Sequence, residues 1–277
     1  MILVTGASGN IGKQVIKRLS LQKIPYQQAV RPGEADRENG IVFDFLKPET
    51  FGPAVQGCES VFLLRPPNIS NVKSTLNLFL DEARRRNVRQ VVFISVAGAG
   101  TNPLVPHHAV EQKLKAGPPS WTIIRPGFFM QNLEDAYLGD IKEDHRIYLP
   151  SGYSRVAFVD AGDIGELAVK ALVDPTAHSG QTYTVTGPQA LRFEEVATLL
   201  SVELGHKIVY KRASILGYMN HLHQRGLPFA QILVQTILHV GLRFGQAQEV
   251  SDTLQKVLGH VPRTITDYIH ENRMKWM

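Results

Sequence analysis

Met1-Ile-Leu-Val-Thr-Gly-Ala-Ser-Gly-Asn-Ile-Gly12 opens the chain and decides its fold. Ile2 to Thr5 read as a short buried strand, and Gly6, Gly9 and Gly12 punctuate the turn after it. Ile11, Val15, Ile16 and Leu19 then recur at helical spacing through Leu21. A strand, a glycine turn and a helix N-terminus present free backbone N–H groups and the positive end of a helix dipole, which suits a pyrophosphate. Glycine is needed because a Cβ would block either a φ > 0 turn or the close approach of phosphate and helix. Gly6, Ser8, Gly9, Asn10, Ile11 and Gly12 are therefore the first binding candidates.

A nucleoside-triphosphate loop ending in Gly12-Lys13 fails twice. Position 7 is Ala where that spacing needs Gly, and position 14 is Gln where magnesium needs Ser or Thr. A dinucleotide site predicts a second strand whose end chooses between a ribose hydroxyl and a 2′-phosphate. Tyr26 to Val30 is that strand, and Arg31 comes directly after it. Arg offers phosphate a planar fork of donors, and no acidic residue stands there to accept from a 2′-hydroxyl, so the expected cofactor is NADP(H) rather than NAD(H). Arg31-Pro32-Gly33 is also a plain turn sequence, and a solvated arginine is the alternative.

With 277 residues and 43% hydrophobic content the chain has ample core for one large α/β domain with an annex. It holds no run of about eighteen apolar residues, and its N-terminus is the first strand, so neither a membrane span nor a removable signal is expected and the expected location is cytoplasmic. The single Cys58 excludes an intrachain disulfide framework and a multi-cysteine zinc site. A net charge of +5 raises the question of nucleic acid, but the one dense basic cluster, Arg84 to Arg86 with Arg89, falls at a helix C-terminus, where cations complement the dipole. No nucleic-acid motif accompanies it.

After Arg31 strands and helices alternate with short connections, the pattern of a doubly wound parallel sheet. Strands are expected at 41–45, 60–64, 90–95, 121–124, 155–159 and 181–185. Helices are expected at 48–55, 71–86, 107–115, 128–141 and 165–172. Ligands of such sheets collect at the carboxyl ends of the strands, which makes Asp44, Phe45, Leu64 and Arg65 candidates by position. Beyond Gly187 the alternation stops. Helices at 193–204, 215–239 with a break near Gly226-Leu227-Pro228, and 264–277, with a short strand at 207–211, make a mainly helical remainder. The expected fold is thus Rossmann-type α/β, with residues 1–187 as the dinucleotide domain, substrate-side insertions at about 128–155, and 188–277 as a smaller C-terminal region.

These residues together resemble the NmrA-like group of atypical short-chain dehydrogenase/reductases. The resemblance rests on the opening glycine turn, Phe62-Leu63-Leu64 with Pro66-Pro67, Val92 to Ser95, His107 with Glu111 and Leu114, Thr122 to Met130 with Asn132, and Thr186-Gly187-Pro188. It covers most of the chain and thins after about residue 210. The resemblance implies one of two activities. One is reduction of quinones, azo compounds or triphenylmethane dyes by NADPH. The other is non-catalytic binding of the dinucleotide by a redox sensor that reports to a protein partner. A shared fold does not decide between them.

Short-chain dehydrogenases acting on alcohols and ketones usually use a Tyr four residues before a Lys, the Lys lowering the phenol pKa. None of the 8 tyrosines here has Lys four positions on, so carbonyl reduction and sugar-nucleotide epimerisation by that route are not expected. Ser95 and His107 stand in the corresponding region, with Lys113 further along the helix; Ser95 and Pro126 are further cofactor-binding candidates, and His107 is the catalytic candidate, able to orient the cofactor or protonate a reduced acceptor. A capping or surface histidine is the alternative. His107 and His108 diverge by about 100° on a helix and cannot comfortably share a metal, so none is expected. Hydride transfer to a conjugated acceptor needs positioning more than a strong acid. Phe128, Phe129, Met130 and Asn132, joined by Tyr153 and Phe158, are the expected lining for such a flat small molecule, with ordinary helix core the alternative for any one of them. A monomer or homodimer is expected.

Overall fold

The computed structural model describes residues 1–34 and 36–277. In chain order the elements are β1 (Ile2–Val4), α1 (Asn10–Leu21), β2 (Tyr26–Val30), β3 (Gly40–Val42), α2 (Phe51–Val55), β4 (Ser60–Leu64), α3 (Leu76–Arg85), β5 (Gln90–Ile94), α4 (Pro106–Lys115) and β6 (Ser120–Pro126). Next come β7 (Phe128–Phe129), α5 (Leu138–Lys142), β8 (Arg146–Leu149), β9 (Arg155–Val159), α6 (Ala161–Val173), α7 (Pro175–His178) and β10 (Gln181–Val185). The last elements are β11 (Ala190–Arg192), α8 (Phe193–Leu204), β12 (Val209–Arg212), α9 (Ile215–Gln224), α10 (Phe229–Gly241), α11 (Thr253–Leu258) and α12 (Ile265–Asn272).

Two compact units result, 1–126 with 161–185 and 127–160 with 186–277. This differs from a contiguous split at 187. The first unit is a seven-stranded sheet in the order β10-β6-β5-β4-β1-β2-β3, parallel throughout. The chain builds outward from β1 to β3, then returns to the other side of β1 with β4, so the strand order switches direction between β1 and β4. In a doubly wound sheet the crevice for a ligand opens at that place, beyond the strands' carboxyl ends. The central strands are continuous apolar runs because helices cover both faces: Val61, Phe62, Leu63, Val91, Val92 and Phe93 are fully buried. On one face Phe43, Phe45, Phe51 and Phe79 pack edge to face around ring centroids 4.7–5.7 Å apart.

α1 packs closely on α6. A Cβ on Gly165 would stand 2.7 Å from the Cβ of Gln14, and Arg18 pairs with Glu166 at 3.2 Å. α3 begins at Leu76 rather than Asn71, because the preceding residues are held in turns, with the Thr75 hydroxyl donating to the Asn71 carbonyl.

The second unit departs more from expectation. Residues 128–141 do not form one amphipathic helix. Phe128–Phe129 are a short strand pairing with Phe158 and Val159 of β9, Met130–Leu133 a 3-10 turn, and only Leu138–Lys142 an α-helix. The apolar spacing of Met130, Leu133, Tyr137 and Ile141 is real, since all four are buried, but the aromatic pair after Gly127 is recruited by β9. β9 itself belongs to a three-stranded sheet in the order β11-β9-β7, outside the parallel sheet. β8, absent from the expected strands, pairs in parallel with β12, and its burial alternates over only four residues, too short a run to announce a strand. The core of this unit gathers Tyr137, Phe158, Phe193, Tyr218, Tyr268 and Trp276, whose indole N–H donates to the Leu133 carbonyl at 2.9 Å.

Candidate functional site

In the first unit the opening turn has the geometry its glycines demand. Gly6 lies at φ +63°, where a Cβ would meet the Leu64 side chain at 2.6 Å, so Leu64 of β4 packs directly onto the turn. A Cβ on Gly12 would stand 2.1 Å from the Gly6 carbonyl oxygen, backbone against backbone. The Gly9 amide donates to that same carbonyl at 3.0 Å, closing the turn. Thr5 ties β1 to β4: its hydroxyl donates to the Phe62 carbonyl and accepts from the Leu64 amide. α1 then starts at Asn10 with no side chain capping it and no acidic residue in its first turn. The leading amides of a helix have no intrahelical acceptor, and they carry the positive end of its dipole. Gly6, Ser8 and Asn10 are exposed, while Ile11 and Gly12 are buried beneath them. Arg31 is exposed just beyond β2, the neighbour of β1, and among the described residues no carboxylate pairs with it.

Other positional candidates turn out to be engaged. The Phe45 ring is buried in the four-phenylalanine cluster, so its side chain is core. Asp44 closes a turn by accepting from the Leu46 amide at 2.9 Å. Arg65 donates to the carbonyls of Pro66 and Ile69, and its Nε donates to His107 Nε2 at 3.2 Å. That guanidinium is a clasp for the loop after β4 and for His107.

His107, in the first turn of α4, is buried at 8% exposure and lies against the Phe93 ring, 5.9 Å between centroids. Burial first, and the Arg65 charge second, bring its pKa down from 6.5 to about 4, against a smaller opposing pull from Glu111. The imidazole is therefore neutral near pH 7. With Nε2 accepting from Arg65, the proton sits on Nδ1, which is buried without a partner. Such a group is a hydrogen-bond donor, and it is a poor source of protons; of the two roles expected for His107, proton donation is the one its surroundings oppose.

Ser95 is buried and donates to Glu111 Oε1 at 2.6 Å. Glu111 is wholly buried, takes two bonds from Arg125, through Nε at 2.9 Å and through Nη2, and lies 3.5 Å from Lys115 Nζ. These partners hold its carboxyl below the usual range despite burial. Gly100 lets its loop lie on Arg125, since a Cβ would stand 2.5 Å from Nη2. The triad thus locks together the ends of β5 and β6, where Pro126 is buried. Glu111 and Arg125 had no assigned role in the sequence, because nothing in their spacing announces a pair.

In the second unit the expected lining separates. Met130 is 1% exposed and Phe158 2%, so both are core. Phe128 is half-buried with its ring against Phe158, Phe193 and His239, and Phe129 and Asn132 are half-buried too. Tyr153 is 63% exposed and lines a different cavity. Beneath Phe128, His239 donates through Nδ1 to the Gln235 carbonyl at 2.7 Å and accepts at Nε2 from the Tyr137 hydroxyl. Burial lowers the His239 pKa to about 4 and raises both Tyr137 and Tyr218. The network is neutral, and no sequence signal links residues 137 and 239.

The model of the NmrA-like family matches residues 1–269. The chain belongs to the NmrA-like family. Among curated relatives, the NAD(P)H azoreductase of Xenophilus azovorans is 32% identical over 97% of this chain and 96% of its own length. Among solved structures, the Citrobacter sp. triphenylmethane reductase complexed with NADP(H) superposes with a TM-score of 0.87 at 23% identity, covering 98% of this chain and 99% of that one. The NADPH-dependent quinone oxidoreductase QOR2 of Escherichia coli, complexed with NADPH, gives the same TM-score, identity and coverage. The NmrA-like resemblance and the doubly wound fold drawn from the sequence both stand.

Proposed function

We propose that this NmrA-like chain is an NADPH-dependent reductase that passes hydride to a quinone or a similar flat conjugated acceptor. The observation that carries the reading is the glycine turn, where Gly6 and Gly12 admit no Cβ and a helix begins with no side-chain cap, with Arg31 exposed beyond the neighbouring strand. The cradle fits a dinucleotide: the amides that lead α1, at residues 10–12, would hold the pyrophosphate and Arg31 the 2′-phosphate. When bound, NADPH supplies the hydride. Relatives named for NAD(P)H, NADP(H) and NADPH support the choice of cofactor.

The remaining chemistry is modest. His107, neutral and clasped by Arg65, offers its Nδ1–H as an orienting donor. The Glu111–Arg125 pair keeps Ser95 and the end of β5 in place. Negative charge arriving on a conjugated acceptor spreads over its rings and is quenched from water, so positioning contributes most. Phe128, Phe129 and Asn132 retain surface for the acceptor and Met130 does not. Calorimetric binding of NADPH and NADH, followed by loss of the reduced-nicotinamide absorbance against a panel of quinones and azo dyes, tests the reading. Turnover with at least one acceptor is expected.

A redox sensor acting through a protein partner is the second reading. It draws on α10, which leaves Phe229, Leu233, Val234, Ile237 and Leu238 between 44% and 71% exposed. Tight NADPH binding with no oxidation across the panel would favour it over the reductase.

A further inference from the structure

Four arginines of the second unit face one cavity of about 910 Å³ that none of the cofactor-binding candidates enters. Arg155 comes from β9, Arg192 from the end of β11, Arg212 from the end of β12, and Arg243 from the segment after α10. Among the described residues no acidic side chain lines it. Arg155 and Arg192 are direct partners across the antiparallel β9–β11 pair, where like charges repel. Glu195 offsets one of the two charges, 3.5 Å from Arg155 Nη1, and meets Arg192 only through that residue's backbone amide.

Two of the arginines are held by backbone. Arg243 Nε donates to the Pro150 carbonyl at 2.6 Å, and Arg155 Nη1 donates to the Ala190 carbonyl at 2.9 Å. Each keeps further N–H groups for another acceptor. Arg212 lies over the Tyr153 ring, 4.1 Å from its centroid, and leaves that ring 63% exposed. A concave surface of one sign focuses its field on a counter-ion, and guanidinium forks match phosphate oxygens in pairs. The size is that of a small-molecule pocket rather than a groove for a polymer.

We propose that this cavity binds a small molecule carrying a chain of two or more phosphate groups, held by Arg155, Arg192, Arg212 and Arg243. The site is separate from the glycine turn and does not depend on the reductase reading. Two sources share this chemistry, free polyphosphate and a nucleotide whose base rests on Tyr153.

The test is calorimetric titration of the full chain at low salt with inorganic tripolyphosphate and, separately, with ATP. Tripolyphosphate is expected to bind, with affinity falling at least tenfold in the Arg192→Gln/Arg212→Gln double variant and falling steadily with added salt. ATP binding more tightly than tripolyphosphate, with the difference removed by Tyr153→Ala, identifies the nucleotide; equal affinities identify free polyphosphate. Both substituted arginines are exposed, so unchanged melting of the ligand-free double variant establishes that it is folded. No binding of either probe to the wild-type chain overturns the proposal. So does undiminished binding to the folded double variant, which would put the anion elsewhere, at the glycine turn among other places.

Discussion

Gly12 and Arg31 carry the cofactor reading at the scale of single residues, and they do so by different physics. Gly12 acts by shape. Its added Cβ would press on the backbone oxygen of Gly6 at 2.1 Å, and backbone cannot swing aside as a side chain can. Gly12→Ala is expected to cost roughly 1–3 kcal/mol in thermal unfolding and to abolish NADPH binding. Gly33→Ala, with nothing within 4 Å of its Cβ, should be neutral. Arg31 acts by charge: Arg31→Ala should weaken NADPH about tenfold to a hundredfold, the worth of a charge-assisted bond, and leave NADH nearly untouched. Equal loss for both cofactors would remove Arg31 from the site. Both residues are proposed from the sequence, because a dinucleotide turn dictates the glycine spacing and the type of residue at the end of the second strand; the structure adds the close packing at Gly12. The partner of His107 was not, since Arg65 and His107 stand 42 positions apart and meet only through the parallel sheet.

Elements are joined by the Glu111 cluster and divided by the two faces of α10. Glu111 is buried with charged partners, so Glu111→Ala should cost about 3–5 kcal/mol by leaving Arg125 uncompensated. The double variant Glu111→Leu/Arg125→Met should lose less than the sum of the single changes, as urea unfolding would reveal. On α10, Ile232→Ala should cost about 2–5 kcal/mol because Ile232 is 2% exposed. Ile237→Glu, at a position 61% exposed, should stay within about 0.5 kcal/mol. Sequence periodicity located α10 but not which of its apolar residues turn inward. Most of the helix is apolar, and its polar residues do not mark one face, so the stripe is set by packing. The same ambiguity produced the false helix at 128–141, where apolar spacing fitted a helix and β9 claimed Phe128 and Phe129 as a strand.

Protonation of buried imidazoles acts on the whole molecule. His107 and His239 take up a proton near pH 6.5 in the unfolded chain and resist it until about pH 4 in the folded one, so acidification through that window favours unfolding. The loss is up to about 3 kcal/mol for each histidine. Melting temperature should fall from pH 7 to pH 4, and His239→Gln should flatten the slope. The same depression predicts that any NADPH oxidation rate shows no break between pH 6 and 8 attributable to His107; a break there that disappears in His107→Ala would restore it as a proton donor. By itself the sequence determined the parallel sheet, the glycine turn with its helix and Arg31, and membership of the family, because strand and turn chemistry are local and repeat at short periods. Only the tertiary structure decided where 127–160 belongs, which aromatic residues are core, that Arg65 helps keep His107 neutral, and that four arginines share a cavity. Those facts depend on residues tens of positions apart being brought together by strand pairing and packing, which no local spacing encodes.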